Sequence, residues 1–328
     1  MLMSNSRSQL ESLLRSGGFT VTAELRTSDS ADPDAIRRFC EPLRGFVDAV
    51  NCTDNAAAHA HLSATAAAHL LIDQGFEPIV QFGCRDRNRL GLQADILGAA
   101  ALGVRNLCLM QGDDVSAGDH PETKPLWDLD STQLIRTARM LRDEGVYLSG
   151  RKLEQPPRYF IGAVENPFAP PVDYRPHRMA KKVEAGAEFI QTQVVFNLPR
   201  LKEFVGRVRD LGLLERAFIL PSIMIPRSAR AMRYMRDRVP GVDVPEEVVH
   251  RLERTPEERQ KEESVRMGIE LVQAVRDIPG VAGVHLIAIK WESAIRRVVE
   301  GAGLLPRPHS GPESGRAGAT VNAPGGAH

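Results

Sequence analysis

The sequence predicts a single (β/α)8 barrel, the TIM-barrel fold of the α/β class. Between residues 19 and 303, short apolar runs alternate eight times with segments of helical periodicity. Strands that alternate with helices pair in parallel, because each return to the same end of the sheet needs a crossover helix. Eight such units in about 285 residues fit a closed barrel better than an open doubly wound sheet, which stays the alternative on pattern alone.

A short helical arm is predicted before the barrel, in residues 1–18. Within it, residues 8–16 space their leucines at helical intervals, and Gly17-Gly18 supplies a C-cap signal.

The eight predicted strands are rich in β-branched and apolar residues and are bounded by turn residues. They cover residues 19–25, 46–52, 77–83, 105–111, 159–164, 187–196, 217–225 and 281–289. The helices that follow them are expected from about Asp32-Pro33, and near 61–73, 88–102, 131–144, 175–186, 199–211, 228–238 and 292–303. The barrel domain is therefore predicted over residues 19–304.

Two insertions interrupt this rhythm, and a tail follows it. Residues 112–130 form a loop rich in Gly, Asp and Pro after the fourth strand, and residues 239–278 add a charged helical stretch before the eighth. Residues 305–328 are rich in Gly, Pro, Ala and Ser and poor in large apolar residues, a composition that predicts disorder.

The composition argues against several classes of function. Lys+Arg and Asp+Glu both total 42, so no net charge attracts nucleic acid or an anionic membrane. No stretch of about 20 apolar residues could span a bilayer, and no N-terminal segment resembles a signal peptide. We therefore expect a cytoplasmic protein that acts on small molecules.

The cysteines and paired histidines predict no metal site. The 4 cysteines are widely spaced without a CxxC pair, and most lie in apolar runs, where cysteine usually acts as a small hydrophobe. His59 and His61 form an HxH pair without an acidic residue at ligand spacing, which favours the exposed start of a helix over a metal site.

Active sites of such barrels lie at the carboxyl ends of the strands, and polar residues cluster there in this sequence. The strand-end residues are Glu24, Asn51, Thr53, Gln81, Gln111, Asp113, Glu165, Asn166, Thr192 and Gln193. Carboxylates flanked by amides and hydroxyls suit a site that grips and protonates a polar heterocycle. No Gly-rich phosphate loop of the GxGxxG or Walker type is present.

Several of these positions lie in segments that resemble the methylenetetrahydrofolate reductase family. The segments are VTAEL at strand one, VNCTDN at strand two, LMQGDD and GDHPETKPLWDLDSTQL after strand four, and KKVEAGAEFIQTQVVF around strand six. They occur in order across about residues 19–303, and the chain looks like the short, single-domain bacterial form. The resemblance implies reduction of 5,10-methylenetetrahydrofolate to 5-methyltetrahydrofolate, with a reduced nicotinamide as hydride donor and a bound flavin as intermediate.

By this resemblance, Glu24 is the general acid. The ring that joins N5 and N10 of the folate must open before hydride can add, and a positioned carboxylic acid can protonate N10. The other interpretation of Glu24 is a structural carboxylate at the end of a strand.

The resemblance also assigns binding roles. Asp113 would stand beside pterin and flavin, where a carboxylate accepts two hydrogen bonds from the amino-pyrimidine edge, although GDD is also ordinary turn chemistry. Gln193 would contact the pterin, and Thr53 and Lys182 the flavin, although a lysine on a barrel helix is often only solvated. Gln81 and Gln111, at neighbouring strand ends, complete the expected cofactor-binding set.

Three departures from the family pattern affect the cofactor prediction. Gln111 stands where the flavin enzymes have an arginine, Arg175 where they have an aspartate near the flavin ribose, and Arg230 where they have an aromatic residue near the folate. We therefore expect FAD, with FMN or direct transfer from the nicotinamide as alternatives, and NADH or NADPH as donor. Arg230 is the expected substrate-binding residue after strand seven.

Two other functions stay open at this point. The chain could be a folate-binding subunit of a larger redox complex, inactive alone, or a folate-dependent methyl or methylene transferase. The resemblance also implies a homo-oligomer.

Overall fold

The computed structural model describes residues 7–308 and contains a closed parallel barrel. Each strand pairs with the next in chain order, and β8 closes the barrel against β1. The strands are β1 Thr20–Leu25, β2 Ala49–Cys52, β3 Pro78–Gly83, β4 Asn106–Met110, β5 Phe160–Glu165, β6 Phe189–Val194, β7 Phe218–Met224 and β8 Gly283–Ile287. The (β/α)8 prediction is confirmed.

The helices surround the barrel or extend from it. They are α1 Gln9–Arg15, α2 Pro33–Cys40, α3 Ala64–Asp73, α4 Arg89–Ala101, α5 Ser131–Arg139, α6 Arg175–Ala185, α7 Leu198–Asp210, α8 Ala229–Arg238, α9 Glu246–Glu253, α10 Gln260–Arg276 and α11 Ser293–Gly301. Most begin at a side-chain cap that the sequence signals: Asp32 accepts a hydrogen bond from Asp34 N at α2, and Asp130 forms a capping box with Gln133 at α5. No helix within residues 7–308 is long and apolar enough to cross a membrane.

The N-terminal helix α1 packs against apolar residues at the amino ends of the barrel strands. Leu10 and Leu14 belong to one buried cluster with strand residues such as Phe160, Phe189 and Leu220. These strand residues begin their strands or lie near the beginning, so α1 covers the end of the barrel away from the strand carboxyl ends. The helical arm predicted before the barrel thus forms, and its leucines become part of the buried core.

The helix that we predicted after strand seven is not the one that packs on the barrel wall. α10 packs against β7, β8 and α11, so it occupies the position of the seventh outer helix. α8 instead packs, together with α9, on Val194, Phe196 and Ile287, which lie at or just after the carboxyl ends of β6 and β8. The apolar face predicted within residues 239–278 therefore belongs to α10, which packs on the outside of the barrel. α8 lies across the rim at the carboxyl ends of the strands.

The predicted boundary at residue 304 falls just before a buried side chain. Arg307 is 6% exposed, and its guanidinium donates to Asp48 Oδ1 at 3.1 Å and to Phe19 O at 2.8 Å. These contacts tie residues 305–308 to the start of β1 and β2. The rest of the predicted tail, 309–328, lies outside the described residues.

Candidate active site

A cavity of about 520 Å³ opens at the carboxyl ends of the strands. Seven of the eight predicted site residues line it: Glu24, Thr53, Gln81, Gln111, Asp113, Lys182 and Gln193. They come from six consecutive strands, β1 to β6, and the segments that follow them, which only barrel closure can bring together.

Glu24 stands in this cavity with its side chain 25% exposed. Gln81 Nε2 donates to Glu24 Oε2 at 3.4 Å, and His285 Nε2 lies 3.7 Å from the same oxygen. Among residues 7–308, Glu24 Oε1 has no hydrogen-bond partner. One oxygen is therefore held by the protein, and the other is left to meet a ligand.

A layer of buried polar side chains lies beneath Glu24. Gln191 and Asn51 exchange two amide hydrogen bonds, of 2.7 and 3.1 Å. Gln191 Nε2 also lies 3.3 Å from His285 Nδ1, and Thr22 Oγ1 lies 3.0 Å from that same nitrogen. Because buried polar groups that satisfy one another are rigid, this layer fixes the His285 ring under the acid.

Sequence reasoning selected neither Gln191 nor His285, although a signal for both exists. Side chains two residues apart on a strand point to the same side of the sheet. Thr22 and Gln191 each lie two positions before a selected strand-end residue, Glu24 and Gln193 respectively. The signal for His285 is a different one: it is a lone ionisable residue in an otherwise apolar strand.

Asp113 lies at the cavity rim and contacts the loop after β2. Asp113 Oδ2 accepts a hydrogen bond from Ala57 N at 2.9 Å. Ala57 and Ala58 have φ values of 54° and 57°, a left-handed conformation that costs a non-glycine residue about 1 kcal/mol or more. The loop is thus held in a strained form by the residue expected to contact the pterin.

Charged residues behind this loop fix its position. Arg85, 4% exposed, donates to the carbonyls of Asp113 and Asn55 at 3.1 and 3.2 Å and is paired with Asp86. The Arg85 guanidinium and the Asn55 amide together hold the pKa of Asp86 below its usual value, against the opposing effect of burial, which is the largest single influence. Arg85 therefore joins the loops after β2 and β4.

Lys182, a predicted cofactor contact, is buried against Glu165. Its Nζ lies 2.8 Å from Glu165 Oε2, and burial lowers the pKa of Lys182 although Glu165 opposes this. Arg175 and Arg178 approach the same carboxylate at 3.7 and 3.9 Å, so three cations face one anion. Arg178 is 42% exposed and lines the cavity, which makes this wall attractive to anions.

Two further predicted cofactor contacts, Thr53 and Gln111, form hydrogen bonds within the protein, and so does Arg175, which stands where the family has an aspartate. Thr53 Oγ1 accepts from Thr27 N at 3.2 Å, and Gln111 Oε1 accepts from Ser131 N, at the start of α5, at 3.0 Å. Arg175 donates to the carbonyls of Ala169 and Pro170 at 2.7 and 2.8 Å. Thr53 and Gln111 therefore help to shape the cavity wall that they line, and Arg175 holds the loop after β5.

Arg230 is the predicted site residue that the structure places elsewhere. It is exposed on α8 and does not line the cavity. Tyr234, one helical turn later, does line it. Sequence reasoning missed Tyr234 because the rotation of α8 is set by the packing of Met232 and Met235 on the barrel.

His59 and His61 lie in the loop before α3, which begins only at Ala64. The His61 ring is bonded to Asp29 on one side, and Arg26 Nε donates to His61 Nε2 at 3.2 Å on the other. Residues 7–308 contain no group of three or more His, Cys, Asp or Glu that could hold a metal ion. His61 therefore joins the loops after β1 and β2.

The chain resembles known proteins in sequence and in fold. A family model described as methylenetetrahydrofolate reductase matches residues 33–303. A protein of Caenorhabditis elegans named probable methylenetetrahydrofolate reductase (NADPH) is 23% identical over 249 residues, which are 74% of this chain and 34% of that protein. Methylenetetrahydrofolate reductase 2 of Schizosaccharomyces pombe is 27% identical over 215 residues, 64% of this chain and 33% of that protein. The chain thus spans about a third of the length of these relatives.

One solved structure shares the fold over most of the chain. It comes from Clostridium thermocellum and is described as an uncharacterized protein that binds two copies of 5-methyl-5,6,7,8-tetrahydrofolic acid. The TM-score is 0.61 at 12% identity, with 91% of this chain and 100% of that chain covered. At this identity the likeness shows the fold alone.

Proposed function

Because this chain belongs to the methylenetetrahydrofolate reductase family, we propose that it reduces 5,10-methylenetetrahydrofolate to 5-methyltetrahydrofolate with NADH or NADPH. The match over 33–303 and the shared barrel support the reaction class. The solved C. thermocellum protein, described as binding a methylated tetrahydrofolate on the same fold, supports folate as substrate.

The observation that carries the proposal is the setting of Glu24. The reaction needs a proton at N10 when the five-membered ring opens, and hydride then adds to the exposed carbon. Glu24 lines the cavity with Oε2 held by Gln81 and faced by His285, while Oε1 has no partner among the described residues. We assign proton donation to this carboxyl group.

Asp113 and Gln193 would orient the pterin. A carboxylate accepts paired hydrogen bonds from an amino-pyrimidine edge, and an amide both donates and accepts. Both residues line the cavity. Binding of the pterin by Asp113 would compete with its hydrogen bond to Ala57 N, so substrate binding and the loop after β2 are coupled in this proposal.

The cavity wall near α6 fits a cofactor that carries phosphates. Three cations around one buried carboxylate leave an excess of positive charge, and Arg178 exposes its guanidinium there. Arg178 and Lys182 would lie nearest the phosphates, and Gln81, Gln111 and Thr53 would line the rest of the cofactor site. When bound, FAD supplies a carrier for two electrons between nicotinamide and folate. We propose FAD on this basis, and the same wall suits the phosphates of the nicotinamide donor.

A cytoplasmic location and a homo-oligomeric state are also part of the proposal. They follow from the sequence and from the resemblance to the family.

The test is turnover together with the absorbance spectrum of the purified protein. Protein mixed with NADH or NADPH, FAD or FMN, and methylenetetrahydrofolate should form the methyl product and oxidise the nicotinamide in equal amounts. Flavin bands in the spectrum identify FAD or FMN as resident, and turnover by a colourless protein without added flavin identifies direct transfer. Folate turnover without nicotinamide oxidation would instead identify a transferase.

A folate-binding subunit of a larger redox complex is the second candidate, favoured by the commitment of Lys182 to Glu165 and of Arg175 to backbone carbonyls. It predicts a protein that binds folate but oxidises no nicotinamide with either flavin until a partner protein is added.

A further inference from the structure

A second cavity, of about 450 Å³, lies beside the active cavity and is lined by the end of β7 and by helices α8, α9 and α10. We call it the α10 cavity. Its wall is mostly apolar and includes Phe196, Met224, Met232, Val248, Met267 and Leu271. Met224 also lines the active cavity, so the two cavities share this side chain as a wall. The residues assigned to the proposed reaction line the active cavity, which leaves the α10 cavity without a function in that reaction.

Helix α10 presents one continuous stripe of side chains to this cavity. Ser264, Met267, Leu271 and Ala274 follow one another at intervals of three or four residues, so they lie on one face of the helix. Methionine side chains are flexible and fill irregular spaces, which lets a wall that contains several of them adapt to a ligand. The stripe therefore favours an apolar occupant.

Ser264 is the polar residue of this stripe. It is 1% exposed, and its Oγ has no hydrogen-bond partner among residues 7–308. A buried hydroxyl without a partner destabilises a folded protein, and a ligand that supplies the partner removes this cost. Because a hydroxyl both donates and accepts, Ser264 can pair with a ligand group of either kind. The α10 cavity therefore favours a ligand that carries one hydrogen-bonding group.

The charged residues of the wall disfavour an anionic ligand. Arg251 is neutralised within the protein, since its Nη2 lies 2.9 Å from Glu270 Oε1 and its Nε lies 2.6 Å from Glu263 Oε1. In contrast to its neighbour Glu246, Glu247 forms no ion pair within residues 7–308, and it also lines the cavity. The carboxylates thus outnumber the cation, and like charges repel at this range. A ligand with carboxylates, such as a folate, is disfavoured here, and a neutral one fits.

We propose that the α10 cavity is a second ligand site, which binds a small neutral molecule that is apolar apart from one hydroxyl group. The apolar part packs between Met224, Met267 and Leu271, and the hydroxyl forms a hydrogen bond with Ser264 Oγ. Removal of apolar surface from water supplies most of the affinity, and the hydrogen bond selects the ligand. The site goes beyond the proposed reaction and does not depend on it.

The test compares p-cresol with toluene by titration calorimetry on the full chain. Toluene has the same ring and methyl group as p-cresol but no hydroxyl, so the pair isolates the hydrogen bond. The variants are Ser264→Ala, which removes the hydroxyl of the site, and Ala274→Phe, whose ring fills the cavity from the same face of α10. Ile289→Ala, in the apolar part of the active cavity, is the control for binding in the other cavity.

Ser264→Ala should fold normally, because it removes an unsatisfied hydroxyl and places a better helix former in α10. It should raise the Kd of p-cresol by about 3- to 10-fold, the effect of one hydrogen bond, and leave the Kd of toluene unchanged. Ala274→Phe should abolish binding of both ligands, because the added ring takes the space that they occupy. Ile289→Ala should bind both as the wild-type protein does.

Three results would overturn the site. The first is a wild-type protein that binds neither ligand. The second is binding that survives Ala274→Phe but is lost in Ile289→Ala, since the ligand would then occupy the active cavity. The third is a Ser264→Ala variant in which the Kd values of p-cresol and toluene change equally or not at all, because Ser264 would then not select the hydroxyl.

Discussion

His285 Nε2 lies 3.7 Å from Glu24 Oε2, and the two residues stand on β8 and β1, the strands that close the barrel. The register pairs Thr22 with His285, which places Thr22 Oγ1 3.0 Å from His285 Nδ1. The imidazole is therefore oriented by the strand that carries the acid. This relationship makes His285 a positioning residue in the proposed reaction.

Replacing Glu24 by glutamine should remove folate reduction. Glutamine keeps the size and the contact with Gln81 but has no proton to give, so kcat should fall by at least about 100-fold. Binding of 5-methyltetrahydrofolate should persist. Steady-state kinetics and titration check this, and near-normal turnover of the variant would show that another group protonates N10.

Replacing His285 by alanine should lower kcat for folate by about 10- to 100-fold through misplacement of the Glu24 carboxyl group. KM for folate should change little, and the pH profile of kcat should move, which loss of packing alone would not cause. His285→Gln, which retains a donor, should recover part of the rate. An unchanged pH profile would argue for a purely structural role.

A side chain at Gly118 should disturb the loop after β2. A Cβ there would lie 1.9 Å from Ala58 O, a backbone atom, so the strained segment must shift. We expect Gly118→Ala to destabilise the protein by about 1–3 kcal/mol and to weaken folate binding, because Asp113 bonds to Ala57 in the same segment.

Gly98→Ala is the matched control, because a Cβ at this position of α4 meets nothing within 4 Å. It should stabilise the protein by about 0.5–1 kcal/mol. Denaturant unfolding measures both variants. A neutral Gly118→Ala would mean that the loop adapts freely.

Removal of Arg307 should destabilise the barrel. Its side chain and that of Asp48 are 5% and 0% exposed, and breaking such a buried pair costs about 3–5 kcal/mol. A chain that ends at residue 304 should therefore unfold at lower denaturant concentration than one that ends at 308, and Arg307→Met should reproduce the loss. Equal midpoints for the two shortened chains would show that the pair contributes nothing.

The four cysteines should resist thiol reagents while the protein is folded. Burial raises the pKa of Cys40 to about 11 and that of Cys84 and Cys108 to about 12, and it raises the pKa of Cys52 as well. Below these values the groups stay as unreactive thiols. At pH 8 an aromatic disulfide reagent should label none in the native state and all four in denaturant; rapid native labelling would contradict this.

Much of the fold follows from local patterns. The apolar runs and helical segments alternate, and this alternation correctly predicts eight parallel strands, because strand and helix periodicity is a property of neighbouring residues. The exception is instructive: 228–238 has the pattern of a barrel helix, yet α10 takes that place. Two amphipathic helices compete for one groove, and only their fit to β7 and β8 decides between them.

The sequence by itself determined the barrel and the strand ends at which polar residues collect, because both depend on periodicity within short segments. Only the tertiary structure decided which of those side chains meet. His285 reaches Glu24 because the first and last strands pair with a particular register. Tyr234 rather than Arg230 lines the cavity because Met232 and Met235 fix the rotation of α8. Register and rotation are set by packing between distant segments, and no local pattern contains them.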